Sequence, residues 1–219
     1  MNDIKQTFTH IYSNKVWGKG ESENPYFSGG GSHDDAIIIP YIEKVCDLLK
    51  DKNISTICDI GCGDFNIMQS VLQQSLYKKY YGIDVVEGLI DYNNRIFGND
   101  KTVFLCVDAT DISQELPKTE LLIIRQVLQH LDNEHIKMIL DRAKSYRYVL
   151  VTEHLPLIPW RGVNRDKPIN NEIRLKQGSG VYIECKPFGY HCEHILSVRA
   201  GRLSVIRTSL IQNINGINC

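Results

Sequence analysis

The residues of this chain best suited by type and spacing to hold a ligand begin at Asp59-Ile60-Gly61-Cys62-Gly63, an apolar run ending in a Gly-x-Gly turn and followed by a helical pattern. Glycine belongs where a backbone turns sharply and lets a ligand touch it, because any side chain would fill that space. Asp84 closes the next apolar run about 20 residues on, where a carboxylate can accept hydrogen bonds from a ribose diol. The combination points to a nucleoside-type ligand at a strand–helix turn.

Three nucleotide and cluster chemistries are disfavoured by what stands nearby. A dinucleotide fingerprint wants a third glycine under the pyrophosphate, and Asn66 holds that place, while Asp64 puts a like charge where the pyrophosphate would lie. A phosphate-binding Gly-Lys-Ser/Thr loop occurs nowhere, and the third cysteine of a radical-type iron–sulfur site is replaced by Phe65. A cationic nucleoside bearing an amino acid suits these residues better than an NAD-type ligand.

Asp59-Ile60-Gly61-Cys62-Gly63, Gly82-Ile83-Asp84, Val107-Asp108-Ala109-Thr110 and Arg125-Gln126-Val127-Leu128-Gln129-His130-Leu131 resemble, in order and spacing, four signatures of the class I S-adenosylmethionine-dependent methyltransferases. The resemblance covers residues 56–153. It implies S-adenosyl-L-methionine as methyl donor and S-adenosyl-L-homocysteine as product. It further implies that Gly61 and Gly63 admit the methionine part and ribose, with Asp59 anchoring the turn or the amino group. Asp84 would hold the ribose hydroxyls, Val85 and Ala109 would pack on the adenine, Asp108 would accept from the adenine amine, and Arg125 would sit near the methionine part or the acceptor.

Methyl transfer from a sulfonium is an in-line displacement, so the protein aligns acceptor and methyl, excludes water and takes a proton where the acceptor is a hydroxyl. His130, Glu153 and His154 follow or end the fourth and fifth strands, where ligands of an open parallel sheet gather, and are the candidate catalytic groups. His130 is the first choice for a base near neutral pH. No metal is expected, because His191 and His194 would face opposite sides of a strand. The Asp/Asn-Pro-Pro-Tyr/Phe run of base-amine methylases is replaced by Arg125-Gln126-Val127-Leu128. A small-molecule acceptor methylated on oxygen is expected, such as a sugar or a phosphate-bearing precursor, with Arg161, Arg165, Lys167 and Arg174 available for a phosphate or carboxylate. An NAD-linked oxidoreductase and a catalytically inactive ligand-binding relative are the alternatives; Asn66 counts against the first and His130 against the second.

The elements that must position these groups alternate. Strands are expected over 56–60, 79–83, 103–107, 120–124 and 148–151, with helices over 65–74, 88–97 and 133–145 between them, a pattern that demands a parallel sheet covered on both faces. A hairpin of 193–198 and 203–210 should end the sheet antiparallel. The expected fold is therefore α/β, a single Rossmann-like doubly wound sheet. Residues 1–50, rich in aromatics and glycine before a helical stretch, would form a lid and helix on a core of 51–219, with an acceptor-side loop around 155–176; the alternative for the aromatic, glycine-rich part is a poorly ordered tail with a few aromatics packed on the core.

Composition agrees with one ordinary domain: 219 residues, 25 Lys+Arg against 26 Asp+Glu, 42% hydrophobic and 23% charged. A net charge of −1 offers no footprint for nucleic acid. Seven scattered cysteines and the polar opening Met1-Asn2-Asp3 suggest a reducing cytoplasm. Apolar runs fall far short of the roughly 20 residues that cross a bilayer, so no membrane partner is expected. The oligomeric state is not legible.

Overall fold

A computed structural model describes residues 4–19 and 24–213, so Gly20 and both chain ends, expected to belong to the lid and the core, lie outside the described residues. The elements run α1 (Ile4–Ser13), α2 (Asp35–Asp51), β1 (Thr56–Ile60), α3 (Asn66–Gln74), β2 (Lys79–Asp84), α4 (Glu87–Phe97), β3 (Thr102–Cys106), β4 (Leu121–Arg125), α5 (Asn133–Ala143), β5 (Tyr148–Pro156), β6 (Glu193–Arg199) and β7 (Ser204–Gln212). Seven strands form one sheet in the order β3-β2-β1-β4-β5-β7-β6. The first five are parallel; β7 runs antiparallel to both β5 and β6.

Strand alternation divides the apolar residues between two faces. Ile57, Leu121 and Ile123 pack beneath α2 and α3, whereas Cys58, Ile60, Leu122 and Ile124 pack against Ile136, Ile139 and Leu140 of α5. Near-continuous burial of β1 and β4 is what a strand covered on both sides requires. Asp34 caps α2 by accepting from Ala36 N at 3.0 Å, and Asp132 caps α5 by accepting from His135 N at 2.9 Å. The chain turns one way from β1 to β2 and β3 and the other way through β4 and β5, so the strand order reverses between β1 and β4.

Several boundaries differ from the sequence reading. β5 continues to Pro156 because Pro156 pairs with Ser204 of β7, a partner that local pattern does not reveal. α3 starts only at Asn66, since Phe65 holds a left-handed φ of 63°. Between β4 and α5 a short 3₁₀ turn, Leu128–His130, carries His130. α1 was not among the expected elements.

The segment after β5 is pinned. Asn164, buried with φ 52°, accepts from Tyr182 N at 2.7 Å and donates through Nδ2 to the carbonyls of Tyr182 (2.8 Å) and Lys186 (3.0 Å). Replacing it strands buried carbonyls and an amide, each costing about 1–3 kcal/mol when left unpaired. Asn164→Ala should therefore lower stability by about 2–3 kcal/mol in urea unfolding, well above the few tenths expected of an exposed change such as Lys176→Ala.

Candidate active site

A cavity opens beyond the carboxyl ends of β1, β2 and β4, at the reversal of strand order. The Gly61-Cys62-Gly63 turn forms its floor. Gly61 and Gly63 hold φ values of 68° and 54°, and a Cβ there would strike Val127 and Ser28 respectively. Side chains are excluded on both grounds, conformation and space.

Around this turn stand three ionisable groups with few partners. Asp84 accepts from Gly63 N at 3.3 Å and Val86 N at 3.2 Å, and desolvation, against those amides, pushes its carboxyl up to about 6. Asp59 accepts from the Tyr80 hydroxyl at 2.8 Å, and burial raises it to about 7. The Arg125 guanidinium donates to Gly31 O at 2.7 Å and Ser32 Oγ at 3.2 Å and lies 5.0 Å over the Tyr41 ring. Its Nε is buried without a partner, and among the described residues no carboxylate stands within ion-pair distance of it. Asp108 accepts from Thr110 N and Oγ1 at 2.8 and 2.7 Å, and with Val85 and Ala109 it completes the wall beyond Asp84.

The N-terminal segment covers the turn. Ser28 N donates to Asp64 Oδ2 at 2.8 Å, Asp64 N donates to Ser28 Oγ at 2.9 Å, and His33 Nε2 lies 2.7 Å from the same carboxylate. The Tyr12 hydroxyl joins Ser28 Oγ at 2.9 Å. Asp64 is thus the anchor of this segment, a role the sequence reading missed because its partners lie some thirty residues upstream, and an unpatterned Ser or His carries no signal alone. Tyr12, Trp17 and Phe8 line the cavity from the same side.

His130 faces that aromatic wall. Its ring centroid lies 5.2 Å from Trp17 and 6.3 Å from Phe8, and its Nδ1 is buried with no hydrogen-bond partner. Burial first, and the nearby Lys167 ammonium second, take its pKa down to about 4. The imidazole is neutral at pH 7, able to accept a hydrogen bond but weaker as a base than an ordinary histidine.

The other two candidate catalytic groups do not reach the cavity. Glu153 is 2% exposed and accepts from Leu128 N and Gln129 N, both at 3.0 Å, so it builds the turn that carries His130. His154 points away from its neighbour, as alternation requires, and meets Ser204 Oγ at 2.9 Å on β7. Of the cations offered for a phosphate, Lys167 donates to the His130 carbonyl at 3.2 Å and Arg174, fully buried, donates to the Leu131 carbonyl at 2.6 Å. Both are engaged with backbone, while Arg161 and Arg165 are exposed. Among the described residues no group of three or more His, Cys, Asp or Glu is arranged to hold a metal.

A family model described as a methyltransferase domain matches residues 58–144. Similar solved structures include the N-methyltransferase NodS of Bradyrhizobium japonicum in complex with S-adenosylhomocysteine, 10% identical with a TM-score of 0.66, over 94% of this chain and 99% of that one. Magnesium protoporphyrin IX methyltransferase of Synechocystis with bound S-adenosylmethionine is 16% identical with a TM-score of 0.57, over 97% and 99%. Human N-acetylserotonin methyltransferase is 13% identical with a TM-score of 0.56, over 94% of this chain and 59% of that one. No curated protein sequence matches. Residues 58–144 are thus a methyltransferase domain by sequence, and the fold around them is the one shared by solved methyltransferases of class I architecture that bind S-adenosylmethionine or its product. Around one cavity stand a guanidinium with no acid partner among the described residues, a turn whose two glycines leave no room for a Cβ, and a carboxylate at a strand end.

Burial pushes the Glu153 carboxyl up to about 8, above its ordinary value of 4.5. The folded state then keeps a proton that the unfolded state releases, so this group makes stability fall as pH rises from about 4.5 to 8 and level off above. Subtracting the pH profile of Glu153→Gln from that of the parent should isolate this falling slope. A difference that is flat over pH 5–8, measured by urea unfolding, would contradict the assignment.

Proposed function

We propose that this chain transfers the methyl of S-adenosylmethionine to a hydroxyl of a small molecule. The observation that carries the reading is the meeting, at one cavity, of the Gly61–Gly63 turn, Asp84, Asp108–Ala109 and an Arg125 that lacks an acid partner. The donor supplies an electrophilic methyl on sulfur. Asp84 receives the ribose hydroxyls, Val85 and Ala109 flank the adenine with Asp108 accepting from its amine, and Arg125 draws the methionine carboxylate toward Asp59 and the turn. Excluding water falls to Phe8, Tyr12 and Trp17, whose rings already line the cavity. His130, neutral and with a free buried Nδ1, orients the acceptor hydroxyl and takes up its proton as the bond to methyl forms.

A neutral hydroxyl-bearing acceptor such as a sugar is favoured over a phosphate-bearing one. The wall near His130 is aromatic and aliphatic, and the nearby Lys167 and Arg174 are engaged with carbonyls. The balanced net charge argues against nucleic acid, and the odd, scattered cysteines suit the cytoplasm. No helix among the described residues is long and apolar enough to cross a membrane.

Calorimetry with S-adenosylhomocysteine tests the donor side. Asp84→Ala should weaken binding by about 1.5–3 kcal/mol, the range for hydrogen bonds to a charged group. Because an ionised Asp84 accepts from a diol more strongly than a protonated one and its pKa stands near 6, affinity should fall as pH drops below about 6. NAD binding in place of S-adenosylhomocysteine, or unchanged affinity in folded Asp84→Ala, would overturn the reading.

On the acceptor side, His130→Ala should cut turnover by about 10²–10⁴ while leaving cofactor affinity within a few-fold. With donor saturating, the parent's turnover should hold down to about pH 4, where His130 protonates, whereas KM for the donor should rise already near pH 6. Hydrogen exchange of the segment around Tyr12, Trp17 and 28–32 should slow on adding S-adenosylhomocysteine if that segment closes over the donor.

A further inference from the structure

The segment that follows β5 and the tip of the β6–β7 hairpin form a surface the methyl-transfer site does not use. Leu157, Ile158 and Trp160 are 44%, 73% and 61% exposed, and Leu203 at the hairpin tip is 72% exposed. The two stretches are neighbours, since Leu157 N donates to the Leu203 carbonyl at 2.9 Å. Trp160 rests one edge over Gly178, where a Cβ would stand 2.5 Å from the ring, and leaves the rest of the indole to solvent. Four large apolar side chains, with the half-exposed Val163 in the same stretch, are thus gathered at one corner, whereas Leu76 and Ile112 stand elsewhere along the chain.

The charge around this corner is predominantly positive; the nearest acid in sequence, Asp166, accepts from Asn133 N and Lys167 N. Residues 155–165 contain Arg161 and Arg165 and no acid; residues 197–206 contain Arg199 and Arg202 and no acid. All four arginines are exposed. The whole chain carries a net charge of −1, so this corner stands out against it. Exposed Trp, Ile and Leu beside exposed arginines are the side chains that seat a protein in an anionic bilayer interface: the apolar groups enter the headgroup boundary and the cations meet lipid phosphates. A single-stranded nucleic acid would use the indole and the arginines but finds no base-stacking partner in Leu157, Ile158 or Leu203. The expectation of no membrane partner rested on spanning segments alone, and a surface-seated corner needs none.

We infer that Leu157, Ile158, Trp160 and Leu203, with Arg161, Arg165, Arg199 and Arg202, form a peripheral docking surface for anionic lipid bilayers. The corner lies at the carboxyl end of β5, the end of the sheet that also carries the donor cavity, and the chain continuing from it reaches the His130 turn through Lys167 and Arg174. Docking therefore places the site near the lipid surface without occupying it. The inference stands on the surface alone and does not depend on which acceptor is methylated.

Flotation of the full chain with unilamellar vesicles tests it. Vesicles of phosphatidylcholine with about a third phosphatidylglycerol should carry the protein at least tenfold better than pure phosphatidylcholine, and 0.5 M salt should abolish most of the difference, by roughly the screening expected at that ionic strength. Ile158→Ser with Trp160→Ser should lower binding more than tenfold. Arg199→Ser with Arg202→Ser should lower it about fivefold per charge removed. These side chains are exposed, so unfolding midpoints should match the parent, and S-adenosylhomocysteine affinity should be unchanged in both variants. Failure to float with anionic vesicles overturns the inference, as does binding that survives Ile158→Ser/Trp160→Ser. Capture by an acidic polypeptide, or self-association lost on Trp160→Ser, in the absence of vesicle binding would assign the corner to a protein partner and equally overturn it.

Discussion

The site depends on one crowded piece of backbone. At Gly61-Cys62-Gly63 the chain leaves β1 in a left-handed conformation, and Val127 closes on it from one side while Ser28 closes from the other. Both approaches use the volume that side chains would occupy. The β4 turn and the N-terminal segment are therefore indexed to the same few atoms, and Asp64, one residue on, holds Ser28 in place. A substitution at either glycine would displace two segments at once as well as strain the turn.

Charge without compensation is the second organising feature. Arg125, Asp59 and Asp84 border the cavity and lean on carbonyls, hydroxyls and amides, with no salt bridge among them. Burial raises both carboxylates and depresses the guanidinium, which is the signature of groups held at a cost to the fold. A zwitterionic ligand with a diol, a carboxylate and an ammonium group offers each of them the partner that the protein withholds.

Glu153 shows how an ionisable residue at a strand end can mislead. Its position toward the carboxyl end of β5 and its raised pKa both look catalytic. Its two oxygens are nevertheless taken by consecutive amides of the Leu128–His130 turn, so it holds the turn that carries His130 and does not line the cavity. Arg174 and Lys167 repeat the lesson from the loop side. Each carries a charge that looked available for a phosphate and each is committed to a carbonyl of the same turn, which leaves His130 as the polar group facing the aromatic wall.

The amino-acid order alone settled the parallel α/β sheet, because β-branched runs and amphipathic helices alternate with local periods of two and 3.6 residues that any window reveals. It also settled the glycine turn and the acid at the end of β2, since close backbone approach and a strand-end carboxylate have local signatures. Tertiary structure alone decided which charged side chains reach the cavity. Whether His130, Glu153, Lys167 or Arg174 meets a ligand or a backbone amide depends on partners dozens of residues away, such as Glu153 with Leu128 and Arg174 with Leu131. The length of β5 was likewise set by its pairing with β7, and the work of Asp64 by Ser28 and His33. Hydrogen bonds across such separations leave no periodicity in the sequence, and only the folded chain brings the two ends of each together.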